Sequence, residues 1–319
     1  MIQPWLRRLC WRPFAMHSRN QPYVPFRATV TQPVAGVTCI QINNRITRFL
    51  SHLGGGYDFA VCYLVDQSLL IDTGFSWARQ CLRQVLEQLG ADQTITTVIN
   101  THYHEDHTGN NDLLYELTGA SIMAHPLAIP EIRFPSNVAW YRDMLFGPSN
   151  PTNVIATPAY IDTPHFRFEV HHMPGHCPGH LCLFEPQQRW LFSGDLYLAA
   201  DMDSQLADAD GPLWIASLER AMALCPSALF DAHGTIVIGQ DEVCQVLEQK
   251  RDFLIDLRER TYAAAEYAQP IEVITQRVFD RNGLVDDLSL SDGWLSLITG
   301  SDFSRSHLLK SFLRDRRAL

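Results

Sequence analysis

The chain has 319 residues, 46% of them hydrophobic and 19% charged, enough apolar material for one large layered unit or two ordinary domains; a disordered or collagen-like chain is excluded. Its formal net charge is −10 at pH 7 and no apolar run reaches the roughly 18–20 residues that cross a bilayer, so sequence-independent nucleic-acid binding and a membrane span are both set aside. The charge is uneven: seven arginines from Arg7 to Arg48 precede every acid, the first of which is Asp58, leaving 18 basic against 35 acidic residues in the remainder.

Residues 1–27 read as an Arg-rich, acid-free arm carrying Trp5, Leu6, Trp11 and Phe14. It has neither the continuous apolar segment nor the small-residue cleavage site of a secretory signal; organellar targeting is the alternative to an arm packed on the acidic body. Short β-rich runs predict strands over 38–41, 60–65 and 69–71. Ser76 is placed as the cap of a helix with Trp77, Leu82, Val85, Leu86 and Leu89 at helical spacing, and Gly90 as its stop. A strand over 95–99, a short helix over 112–117 and a strand over 121–124 follow. Between 126 and 158 the pattern loses its period and collects Pro130, Pro135, Pro148 and Pro151 around Trp140, Tyr141, Met144, Leu145 and Phe146. An irregular segment of that length and aromatic content reads as a lid or pocket wall. Strands resume over 166–171, 181–184, 190–192 and 228–230, with a helix over 213–224, and the tail is predicted helical over 241–266, 270–279 and 304–317. On this reading 28–240 is an α/β domain and 241–319 a helical region. The eight cysteines contain no C-x-x-C pair and sit mostly in apolar runs, as reduced core thiols of a cytoplasmic protein do.

The chemistry concentrates in Thr101-His102-Tyr103-His104-Glu105-Asp106-His107-Thr108-Gly109, directly after a predicted strand. Burying four such polar groups without partners costs several kcal/mol, so they call for a cation, and imidazoles alternating with a carboxylate suit Zn²⁺ or Fe. A lone His-x-His is a common accident of surface or core; the full H-x-H-x-D-H string is not. Further polar clusters end other strands: Asp72-Thr73-Gly74, His176 to His180, Ser193-Gly194-Asp195 and His233-Gly234. Loops at the C-terminal ends of strands converge on the crevice where α/β proteins place their active sites.

In kind and order these motifs resemble the metallo-β-lactamase superfamily: acid-Thr-Gly at Asp72, H-x-H-x-D-H at 102–107, P-G-H-x-P-G-H at His176, S-G-D at Asp195 and an isolated His-Gly at His233. The resemblance implies an α/β fold, the αβ/βα four-layer sandwich, here with a C-terminal helical extension. It implies that His102, His104 and His176 hold one metal, that Asp106, His107 and His233 hold a second, and that Asp195 bridges them. The cofactor so implied is two Zn²⁺, with Fe or Mn as alternatives, and Asp72 looks like the buried support of the metal loop. The tail resembles the glyoxalase II-like branch with a C-terminal helical or winged-helix unit, on the cue of 270–279 followed by Ser306-His307-Leu308-Leu309. Residues 141–147 stand where that branch has an insert walling its pocket. Nothing after Asp241 matches the basic glutathione-binding residues of glyoxalase II proper.

The reaction implied is hydrolysis of an ester, thioester or lactone by a metal-bound hydroxide, the water's pKa falling from about 15.7 toward about 7. Asp106 is then both ligand and catalytic carboxylate. Tyr103, Trp140, Tyr141, Phe146 and His180 are candidate pocket residues, with a structural role weighing equally for His180. Glu105 is expected to face solvent, and Arg45, Arg48, Arg133 and Arg142 are the nearest cations for an anionic carrier. Phosphodiester or RNA cleavage, and a metal-retaining regulatory protein, are the alternatives. The expected partner is a small acyl substrate, with no nucleic acid or membrane, and a homodimer is the candidate assembly.

Overall fold

The computed structural model describes residues 26–45, 59–135, 138–266, 269–279 and 293–318. The arm up to residue 25, Arg48 and the glycine run 54–56 lie outside them. The described residues form two compact units, one within 1–170 together with 232–236, the other made of 171–231 with 237–319.

The first unit is built on a seven-stranded sheet, in chain order β1 (Arg27–Val34), β2 (Val37–Asn43), β3 (Phe59–Val65), β4 (Leu69–Ile71), β5 (Thr97–Ile99), β6 (Ser121–Ala124) and β7 (Ile155–Ala156). Strands β1 to β4 pair antiparallel, and from β4 onward the pairing is parallel. That switch positions the site. Parallel register of β4 on β5, with Leu69 opposite Thr97 and Ile71 opposite Ile99, brings both C-terminal ends to one edge. Asp72 and the segment from Asn100 therefore leave the sheet side by side, tied by the Asp72 N–H to Ile99 O bond of 2.8 Å.

Helix α1 (Arg79–Leu89) buries Leu82, Val85 and Leu86 and ends at Gly90, in the left-handed conformation with φ 67°. The predicted cap is displaced: Ser76 opens a short 3₁₀ turn, and its hydroxyl donates to Phe146 O instead. Next come α2 (Glu105–Thr108), α3 (Asn111–Thr118), α4 (Ile129–Arg133) and α5 (Trp140–Phe146). Thus the Pro-broken stretch 126–158 is partly helical. The core joins Ile40, Ile42, Cys62, Leu64, Leu70, Val98 and Ile122 of the strands to Leu82, Leu86, Leu113 and Leu114 of the helices. Each fully buried aliphatic side chain contributes about 1.5–3 kcal/mol.

A second sheet has six strands, β8 (Tyr160–Asp162), β9 (Arg167–His172), β10 (Leu181–Glu185), β11 (Trp190–Gly194), β12 (Ala228–Asp231) and β13 (Ile236–Ile238), in the order β13-β12-β11-β10-β9-β8. In the second unit β10 runs antiparallel to β11, and β11 parallel to β12 with Phe192 opposite Phe230, whose rings stack at 4.7 Å. Helix α6 (Gly211–Ala223) starts at Asp210, whose carboxylate accepts from Leu213 N–H at 3.1 Å, with Pro212 in its first turn. The helices α7 (Gln240–Ala264), α8 (Ile271–Phe279), α9 (Trp294–Thr299) and α10 (Arg305–Ala318) complete the chain.

On α7 the buried positions Val243, Leu247, Lys250, Leu254, Leu257 and Thr261 recur every three or four residues, one continuous face. Both α7 and α10 pack on α6. The tail also holds the loop that precedes α6, through a bridge between Gln205 and Ser304 and an Arg305 to Asp203 ion pair of 3.0 Å. Among the described residues no helix is long and apolar enough to cross a membrane.

Candidate metal centre

In the first unit, three imidazoles have one ring nitrogen tied to an oxygen. His102 Nδ1 lies 3.1 Å from Thr101 Oγ1, His107 Nδ1 2.9 Å from Asp72 Oδ2, and His233 Nδ1 3.0 Å from Phe59 O. An oxygen acceptor places the proton on Nδ1 and leaves Nε2 as the lone-pair donor, the arrangement metal-binding histidines adopt. The Nε2 atoms of His107 and His233 then face Asp106, 3.6 Å from Oδ1 and 3.7 Å from Oδ2 respectively. One donor atom from each of Asp106, His107 and His233 falls within 4.8 Å of the others. His102 Nε2 and His104 Nδ1 stand 2.9 Å apart, near enough to ligate one cation. Neutral nitrogens converging with a carboxylate, all largely removed from water, fit a divalent transition metal.

Asp72 organises this loop. Its carboxylate accepts from Thr101 N–H and Thr101 Oγ1–H, both at 2.8 Å, and from His107 Nδ1–H. Thr101 in turn accepts from His102, so one carboxylate orients two imidazoles. Beneath lies a buried polar layer: Asn100 Nδ2 donates to His107 O, Asn111 Nδ2 to Asn100 Oδ1, and Asn110 Nδ2 to Thr73 O and Phe75 O. Gly109 is required where α2 meets this layer, because a Cβ there would lie 2.4 Å from Ser76 N and 2.5 Å from Gly74 O. Sequence reasoning gave no role to Thr101, Asn100, Asn110 or Asn111; their only signal was a run of Asn and Thr flanking the histidine string.

The insert is docked, not open. Phe146 stacks on Phe75 with ring centroids 5.2 Å apart, and Trp77 Nε1–H donates to Asp143 O at 3.0 Å. Glu105 does not face solvent as expected; it is buried and ion-paired with Arg142, so that Arg142 secures α5 to the histidine-bearing loop. Tyr103 and Phe146 are half-buried against the core, and Tyr141 is buried. Trp140 is the exception among the pocket candidates, with 72% of its surface exposed. These placements separate two residues that the sequence treats alike. Phe146→Ala is expected to cost about 2–3 kcal/mol in urea denaturation, as loss of a partly buried ring does, whereas Trp140→Ala stays within about 0.5 kcal/mol.

In the second unit His176 and Asp195 approach each other, Nε2 to Oδ2 at 3.3 Å, both buried. His180 takes the structural alternative: its Nδ1–H donates to Met173 O at 3.0 Å and its Nε2 accepts from Asp195 N–H at 3.0 Å. The ring cross-links the turn before His176 to the turn that bears Asp195. His171 and His172 lie in β9, as their position before the Pro-Gly turn suggested.

A family model described as the metallo-beta-lactamase superfamily matches residues 55–224, more than half of the chain. The mouse metallo-beta-lactamase domain-containing protein 1 is 33% identical over 108 residues, 33% of this chain and 40% of that protein. A hydroxyacylglutathione hydrolase of Erythrobacter litoralis is 29% identical over 141 residues, 44% of this chain and 49% of that enzyme. The chain thus spans about half or less of the length of these relatives. Among solved structures, a beta-lactamase domain protein from Burkholderia ambifaria shares the fold with a TM-score of 0.62 at 18% identity, over 90% of this chain and 88% of that one. A metallo-beta-lactamase from Pontibacter korlensis does so with a TM-score of 0.52 at 18% identity, over 72% of this chain and 99% of that one. With this fold, these motifs and a matching family model over more than half its length, the chain belongs to the metallo-β-lactamase superfamily.

Proposed function

We propose that this protein is a dinuclear metal-dependent hydrolase of an ester, thioester or lactone, its metals held by His102, His104, Asp106, His107, His176, Asp195 and His233. The observation that carries the reading is the oxygen partner on Nδ1 of His102, His107 and His233, which leaves three Nε2 atoms to serve as ligands. The motif order along the chain and the relatives named hydroxyacylglutathione hydrolase support adding His176 and Asp195 to one common set. Two transition metals held there, zinc or alternatively iron or manganese, would supply the Lewis acidity that makes water nucleophilic at neutral pH and polarises an acyl carbonyl.

The chain's own contribution follows from its side chains. Asp72 and Thr101 fix the imidazole orientations before substrate arrives. The Asp106 carboxylate is the base within reach of a proton released at the site. On the insert, exposed Trp140 and Met144 offer an apolar surface to the acyl chain, while Arg142, engaged by Glu105, serves the scaffold. No disulfide joins the described cysteines, which suits a reducing compartment such as the cytoplasm.

The test is a comparison of kcat/KM on acyl thioesters, lactones, phosphodiesters and β-lactams with metal-loaded protein. The reading requires an acyl substrate to lead, with Trp140→Ala raising KM about 10-fold for long acyl chains and leaving short ones unchanged. Dominant phosphodiester cleavage contradicts it.

A further inference from the structure

We infer that Trp214 of α6 is a positioning residue that sets the geometry of His176 and Asp195; this rests on the reading of those two side chains as metal ligands. The two residues sit on separate turns, 174–176 and 193–196, and neither turn is shaped by its own chemistry alone. Trp214 is fully buried, and its indole N–H leaves its own helix to donate to Leu196 O at 2.7 Å, the carbonyl next after Asp195. Leu196 N–H closes the same turn onto Ser193 O at 3.0 Å. The His176 and Trp214 rings lie with their centroids 5.6 Å apart and their planes near perpendicular. A single side chain therefore touches one ligand's ring and holds the backbone of the other.

The surrounding contacts make α6 a template for the first turn as well. Ser217 Oγ–H, three residues along α6, donates to Pro174 O at 2.6 Å, and Asp210 N–H donates to Gly175 O at 2.7 Å. Gly175 has φ 147°, and a Cβ on it would lie 2.3 Å from Trp214 Cα and 2.5 Å from Trp214 Cβ, so this turn rests directly on the helix backbone. A shift of α6 would move His176 and Asp195 together.

The experiment is cobalt(II) loading of the full chain, wild type, Trp214→Phe and Ser217→Ala, read by competition with a chromophoric chelator and by the visible d–d spectrum. Trp214→Phe keeps an aromatic ring beside His176 but deletes the N–H with the pyrrole part of the indole; we expect cobalt affinity to fall about 10–100-fold, as loss of a residue supporting a ligand does, with a shifted d–d band. Ser217→Ala, which keeps every ring, is expected to weaken binding at least about 3-fold and covers the case in which Trp214→Phe does not fold. Affinity and spectrum equal to wild type in the folded variants, whatever their thermal stability, overturn the inference alone. A wild-type chain that takes up no cobalt overturns the ligand reading and this inference with it.

Discussion

Asp72→Ala is expected to destabilise the metal-free protein by about 4 kcal/mol, because it leaves three buried donors, Thr101 N–H, Thr101 Oγ1–H and His107 Nδ1–H, without their acceptor at about 1–3 kcal/mol each. Alanine at this position also inherits a backbone with φ 60°, which aspartate tolerates better. A functional effect accompanies the structural one. With Asp72 gone, nothing fixes the His107 tautomer or the Thr101 hydroxyl that orients His102, so metal affinity should drop by 10-fold or more. Urea denaturation and a metal titration on the same preparations check both parts. Asp72→Asn, which retains one acceptor oxygen, should fall between alanine and wild type; a stability loss under about 1 kcal/mol in the alanine variant would show that Asp72 does not organise the loop.

Lys250 supplies the second large effect. Its side chain is 0% exposed, and the ammonium lies 5.0 Å from the Trp214 ring centroid and 5.7 Å from that of Phe253, with no hydrogen-bond acceptor among the described residues. Burial pulls its pKa from 10.5 down to about 7, although Asp201 and Asp203 pull the other way. Because the folded value is the lower one, between pH 7 and 10.5 the unfolded chain holds a proton that the folded chain lacks, and stability rises with pH across that window. The whole interval corresponds to about 5 kcal/mol. Lys250→Met, similar in length and apolar, should be more stable than wild type by about 2–4 kcal/mol at pH 7, and that advantage should shrink steadily toward pH 10. Chemical denaturation at pH 6, 7, 8.5 and 10 measures it; a difference that does not change with pH would mean that Lys250 does not titrate in this range.

The two effects also mark what the sequence could and could not reveal. The histidine string, Asp72, His176, Asp195 and His233 stand out because metal chemistry demands rare residue types at short spacing, and the strands before them are apolar enough to be seen. Strand β1 escapes notice: its Thr-Val-Thr-Gln-Pro run is half-exposed on the sheet edge, where pattern is weakest. Helix α5 is hidden by the prolines around it. The pairing of Glu105 with Arg142 joins residues 37 apart in sequence, and no local pattern encodes such a contact. Lys250 occupies the buried face of α7 between Leu247 and Leu254, where a lysine reads as the solvent side of the helix. Trp214 reads as ordinary core until its N–H is traced to Leu196.

Metal content tests the central claim most directly. Protein prepared without chelator, or stripped and reconstituted with zinc, should carry close to two transition-metal ions per chain by elemental analysis. Asp195→Ala should lower occupancy at both positions, and His233→Ala mainly at one. A wild-type content that stays at or below one ion per chain after reconstitution would contradict a dinuclear centre built from these seven residues.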